Sequence, residues 1–134
     1  MTAVDIVMKH YAASDAGDPD GMTADFAPGI RWTEAAGFPY AGTYHGPDQV
    51  RAGVFERLPA DFDDFQVLRD RFVRDAADDD SNGTVIMLGR YRGRGHVTGR
   101  AFECAVCHVW EIRDGAIVRF EQIVDSVPIV ATLP

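Results

Sequence analysis

His108 lies in the apolar middle of a 25-residue stretch, 101–125, with Val106, Val109 and Trp110 around it. An imidazole holds or moves a proton near neutral pH. Among apolar neighbours it is either a hydrogen-bonded core group or part of a lined pocket. Glu34 is the second candidate. It alternates with Ile30 and Trp32, and strand periodicity then places it on their face. A carboxylate on an apolar face has little structural reason to point inward, and burial there would raise its pKa toward that of a useful base. Such a pair suits proton transfer.

The other reactive residue types offer less. Cys104 and Cys107 are three apart in a β-rich run, so alternation sends them to opposite faces, where they neither pair nor chelate together. The acidic run Asp78, Asp79 and Asp80 lacks the alternating acids of an EF-hand loop and reads as a solvated turn with Asn82-Gly83 at its tip. Gly93, Gly95 and Gly99 precede no helix, so they make no phosphate loop. No metal or organic cofactor is expected.

The elements that must position these residues are legible from periodicity. Thr2 with Asp5 forms an N-cap pattern, and Val4, Val7, Met8 and Tyr11 mark a helical stripe with Ile6 and His10 on its flank. Gly17-Asp18-Pro19 stops that helix and opens a short second one over about 20–26. A strand holding Ile30, Trp32 and Glu34 follows. Residues 37–46, with Pro39, Tyr40 and Tyr44, read as a turn and short strand around an opening. Pro47 starts a third helix with Val50, Val54 and Leu58 buried, which Pro59 ends. Four longer strands are expected over about 65–75, 84–92, 97–113 and 116–125. A curved sheet over one long helix would bury these stripes and leave a deep pocket at its open end.

Bulk properties bound the function. The 134 residues, 46% hydrophobic and 25% charged, suit one domain with a real core. The net charge of −8 argues against nucleic acid and anionic membrane as partners. No stretch approaches the roughly 20 apolar residues of a membrane span, and nothing reads as a signal peptide, so the expected location is the cytoplasm.

This layout resembles the cone-shaped α+β fold of the nuclear transport factor 2-like superfamily, and within it the SnoaL-like and ketosteroid isomerase-like group. The resemblance covers nearly the whole chain and implies a single domain over 1–134. It rests on Tyr11-Ala12-Ala13 with Gly17-Asp18, Trp32-Thr33-Glu34, Tyr44-His45-Gly46-Pro47, and His108-Val109-Trp110 with Arg113-Asp114-Gly115 and Ile117-Val118. It implies an antiparallel or mixed curved sheet wrapped over the long N-terminal helix, two further helices and an enclosed pocket. The steroid isomerases use an aspartate base with a tyrosine and a protonated aspartic acid as oxyanion donors, a known worked case. Aligned from Gly17-Asp18, the base position falls on Glu34. The tyrosine position falls on His10, or on Tyr11 if the helix shifts by one residue, and the acid-donor position on His108. The polyketide-cyclase branch uses an acid near the end of the last strand, for which Asp125 is the nearest match. Trp32, Tyr40, Tyr44, Trp110 and Phe120 would wall the pocket for a small apolar organic ligand.

The register of the last hairpin decides which residues face His108. A two-residue turn at Asp114-Gly115 sets it opposite Glu121, with Asp125 on their side. A three-residue loop sets it opposite Phe120. The second register gathers Val106, His108, Trp110, Ile112, Val118, Phe120 and Val124 on one face and the charges on the other, so it is favoured, and it points Asp125 away. The outer face, with Ala105, Cys107, Val109, Ile117 and Ile123 between its charges, suits a homodimer through the sheet. Two functions then stand: acid–base catalysis of isomerase, cyclase or hydrolase type, in which Glu34 takes a proton and His108 with His10 or Tyr11 stabilises the oxygen that gains charge, or a non-catalytic ligand-binding or dimerisation domain.

Overall fold

The computed structural model describes residues 1–75 and 79–134. Helix α1 spans Ala3–Asp15. Its first turn is closed by a reciprocal cap, with the Thr2 hydroxyl accepting from Asp5 N–H and the Asp5 carboxylate accepting from Thr2 N–H. The buried stripe is Ala3, Ile6, Val7, His10 and Tyr11. The helix is therefore turned from the expected phase: Met8 faces solvent, and the flank residues Ile6 and His10 go inward. Helix α2 (Pro19–Thr23) is shorter than expected, because strand β1 already begins at Phe26 and runs to Glu34. Strand β2 spans Gly42–His45.

The expected third helix is broken. Helix α3 covers only Pro47–Val50, a π-helical turn occupies Arg51–Phe55, and α4 restarts at Leu58–Asp61 with Pro59 in its first turn. Wider π winding brings both Val54 and Phe55 into the core. Gly53 in this turn lies flat against the Tyr44 ring, which a Cβ would strike. Strands β3 (Phe62–Arg74), β4 (Gly83–Gly95), β5 (Ala101–Arg113) and β6 (Ala116–Val124) complete one six-stranded sheet of order β2-β1-β6-β5-β4-β3. Only β1 and β6 pair in parallel; the other neighbours are antiparallel. A short unexpected helix, α5 (Val127–Val130), closes the chain and buries Ile129. The architecture is α+β, with α1 packed on the concave face of an open curved sheet.

The last hairpin corrects both expected registers. Asp114 and Gly115 take φ of 50° and 75°, which makes the two-residue turn that Asp-Gly favours, with Arg113 opposite Ala116. The favoured three-residue loop does not form. A bulge at Val118 then shifts the pairing by one, and His108 faces Gln122. The bulge still sorts apolar from charged residues, because Ile117 takes the inner place expected of Val118. The turn is tied to its neighbour: Asp114 N–H donates to Asn82 Oδ1 and Gly115 N–H to the Ser81 carbonyl. Of the expected acidic turn, Asp78 lies outside the described residues, while the Asp79 carboxylate accepts from Ser81 N–H and the Asn82 amide.

Candidate active site

Glu34 is the last residue of β1, on the inner face with Ile30 and Trp32. Parallel pairing puts Trp32 beside Phe120 and Thr33 beside Glu121, so Glu34 comes next to Gln122. The Glu34 side chain is 4% exposed. Burial drives its carboxyl up to about 8. The nearby Trp32 indole opposes this, but the approach falls short of a hydrogen bond: neither the Trp32 indole N–H nor Glu34 Oε2 has a partner. A buried oxygen without a partner is costly to keep, and it marks a place where a ligand or water completes the site.

His108 lies between two phenols. Tyr11 Oη stands 2.7 Å from Nδ1 and Tyr91 Oη 2.6 Å from Nε2. The phenols are themselves held by donors. Trp110 Nε1–H donates to Tyr11 Oη at 3.0 Å, and Gln122 Nε2–H donates to Tyr91 Oη at 2.9 Å. Ala35 N–H donates to Gln122 Oε1 at 3.0 Å, which fixes the orientation of that amide. Desolvation, with a smaller contribution from His10, pushes His108 down to about 3, so the ring is neutral at physiological pH. Desolvation also raises both phenols well above their ordinary value.

His10 is buried against Phe26 and Trp110. Its Nδ1–H donates to the Met22 carbonyl at 2.8 Å, and burial lowers its pKa to about 4 despite that bond. A neutral imidazole has one N–H, and here the Met22 carbonyl takes it. His10 therefore cannot be the oxyanion donor, and His108 has no ring nitrogen left to face a ligand directly. Tyr11, the alternative one residue along, lines the cavity with its hydroxyl on His108.

A cavity of about 40 Å³ is lined by Glu34, Tyr11, Tyr91, His108, Gln122 and Phe38, among others. That is room for a few waters at most, taking roughly 10–15 Å³ each. Trp32 and Phe120 stack at 3.7 Å between ring centres in its wall, with Trp110 edge-on to both. A groove of about 310 Å³ adjoins it outside. The two share Ser14, Met22, Phe55, Leu58 and Phe65 as common wall.

Several expected residues lie elsewhere. Asp125 is exposed beyond the end of β6, outside the cavity. Tyr40 is held by structure, its hydroxyl donating to Asp61 at 2.6 Å and its ring lying under Arg57. Tyr44 donates to the Tyr40 carbonyl and packs on Gly53. Neither lines the cavity; their hydroxyls latch the 37–46 segment to Asp61 and to itself. Tyr91, Gln122 and Phe38 were not anticipated. Tyr91 had a signal: Val85, Met87 and Tyr91 alternate along one face of β4. Gln122 had one as well: it alternates with Phe120 along β6 and so shares its inner face.

A family model described as the SnoaL-like domain matches residues 7–120. The chain belongs to the SnoaL-like domain family. Its fold is shared with an NTF2-like protein from Burkholderia thailandensis, 46% identical, with a TM-score of 0.88 over 98% of this chain and 97% of that one. It is also similar to an NTF2-like protein of unknown function from Burkholderia pseudomallei, 26% identical, with a TM-score of 0.83 over 97% and 95%. TerC, co-crystallised with polyporic acid, shares the fold at 19% identity and a TM-score of 0.82 over 96% and 95% of the chains. No curated protein matches. Among the described residues of this SnoaL-like protein, no helix is long and apolar enough to cross a membrane.

Proposed function

We propose that this SnoaL-like protein is an enzyme doing acid–base chemistry with its own side chains on a small apolar organic substrate carrying a carbonyl oxygen. Glu34 takes a proton beside that carbonyl, and a phenol of the Tyr11–His108–Tyr91 chain donates to the oxygen as charge develops on it. His108 positions the phenols. The observation that carries this reading is the partnerless Glu34 oxygen, buried in a cavity that the two phenols also line. Burial holds Glu34 near 8, where a carboxylate is a stronger base than in water. The apolar body of the substrate fits the outer groove, and its entry needs Phe55, Leu58 or Phe65 to move.

The test is a screen of carbonyl compounds against wild type and Glu34→Gln, following turnover and binding together. Turnover lost with binding kept supports catalysis by Glu34. Binding in both without turnover in either would favour the second reading, a non-catalytic ligand-binding domain. One observation favours that alternative: the Trp32–Phe120 stack leaves a cavity too small for a substrate without rearrangement. Under either reading we place the protein in the cytoplasm as a homodimer, paired through the outer sheet face where Ile123 is 54% exposed beside Cys107.

A further inference from the structure

We propose that Tyr11, His108 and Tyr91 form a two-state donor, in which the nitrogen of His108 that carries the proton decides which phenol offers its O–H to the cavity. The inference rests on the reading of the cavity as a site for an oxygen acceptor, and it adds which group meets that oxygen.

Counting protons leads to it. The indole N–H of Trp110 only donates, and Tyr11 Oη receives it. The Gln122 amide is oriented by Ala35 N–H on its oxygen, so its nitrogen donates to Tyr91 Oη. Each phenol thus accepts one bond from a fixed donor and has one proton of its own. Between them stands a neutral imidazole with one N–H and one lone pair. If Nδ1 carries the proton, it donates to Tyr11 Oη, and Tyr91 O–H donates to Nε2. Tyr11 then accepts two bonds and its proton is free. If Nε2 carries the proton, the roles reverse and the Tyr91 proton is free. Both ring nitrogens, the indole N–H and the amide N–H are paired in both arrangements, and in each a single phenol proton is left over. Tyr11 and Tyr91 both line the cavity, so an oxygen acceptor bound there meets the spare proton of one or the other.

The two arrangements interconvert with atoms and charge in balance. As Tyr91 gives its free proton to an acceptor, Nε2–H passes to Tyr91 Oη and the Tyr11 proton passes to Nδ1. Tyr11 Oη then takes a proton from a donor in the cavity. One proton enters at one phenol as one leaves at the other. The depressed pKa of His108 and the raised pKa values of both phenols favour the neutral chain before and after the exchange, so the gain at Tyr11 must accompany the loss at Tyr91.

The experiment reads the protonated nitrogen of His108 by long-range proton–nitrogen NMR on labelled protein at pH 7, assigned by loss of the signal in His108→Gln. In Tyr11→Phe the proton is expected on Nε2, since a buried N–H without a partner costs more than a bare lone pair. In Tyr91→Phe it is expected on Nδ1. The same nitrogen protonated in both, or a doubly protonated ring, overturns the proposal. Trp110→Phe and Gln122→Met keep both phenols and serve if either tyrosine variant fails to fold. Trp110→Phe is expected to hold more Nδ1–H than Gln122→Met, because His108 replaces whichever donor was removed; equal populations overturn the proposal. The readout needs no substrate, so its failure is distinct from failure of the acid–base reading, which Glu34→Gln tests.

Discussion

Tyr91 places its phenol oxygen 2.6 Å from Nε2 of His108, from a position four residues beyond Met87, which pairs with His108 across the β4–β5 ladder. That contact removes the imidazole from direct contact with a ligand and makes it the support of two phenols. Tyr91→Phe is therefore expected to destabilise the fold by about 1–3 kcal/mol, the cost of leaving the Gln122 amide and one imidazole nitrogen without a partner. Chemical denaturation of the variant against wild type measures it.

Glu34→Gln is expected to lower turnover by about 100-fold or more, the range of a lost general base. In wild type, turnover should rise with pH and level off above about 8, where Glu34 ionises. Carbon NMR of the Glu34 carboxyl should give a midpoint near 8. A midpoint near 4.5 would remove the basis for this assignment.

Stability should peak near pH 6.5. The folded pKa of Glu34 is raised, so its contribution is full below its ordinary value of 4.5 and is lost as pH climbs toward about 8. The folded pKa values of His10 and His108 are depressed to about 4 and about 3, so their contributions are full above 6.5 and are lost as pH falls. At about pH 6.5 two half-charged histidines add one proton to the unfolded chain, which balances the one that Glu34 has lost there. Melting temperature across pH 4 to 9 checks the peak. Glu34→Gln should flatten the alkaline side.

Leu58→Ala should open the wall between cavity and groove. Leu58 lines both volumes and is only partly buried, so the stability cost should fall at or below the roughly 2 kcal/mol lower end for core leucines. Faster association of bulky apolar ligands, measured by stopped flow, is the expected gain. Phe120→Ala enlarges the same cavity but also removes the Trp32 stack, with an expected loss of about 3–5 kcal/mol.

Asp125→Asn should leave turnover unchanged, because Asp125 lies outside the cavity. A tenfold loss would bring the last-strand acid back into the site.

The sequence by itself, while pointing to one unbroken third helix and to no α5, determined the order of the strands and of the first two helices, the α+β class and the inward direction of Glu34 and His108. These follow from local periodicity, capping and turn chemistry: Thr2 with Asp5 caps α1, and Asp114-Gly115 turns the last hairpin. Tertiary structure decided what those side chains meet. The Val118 bulge, set by how β6 must satisfy β5 and β1 at once, moved His108 from the expected Glu121 or Phe120 to Gln122. Packing of α1 on the sheet turned Met8 out and brought Tyr11 to His108. The π turn at 51–55, where Gly53 packs on the Tyr44 ring, carried no signal in the helical pattern. A strand's periodicity names the face of a side chain, but its partner depends on the register of chains far apart in sequence, and one extra residue in one strand changes that partner without changing the face.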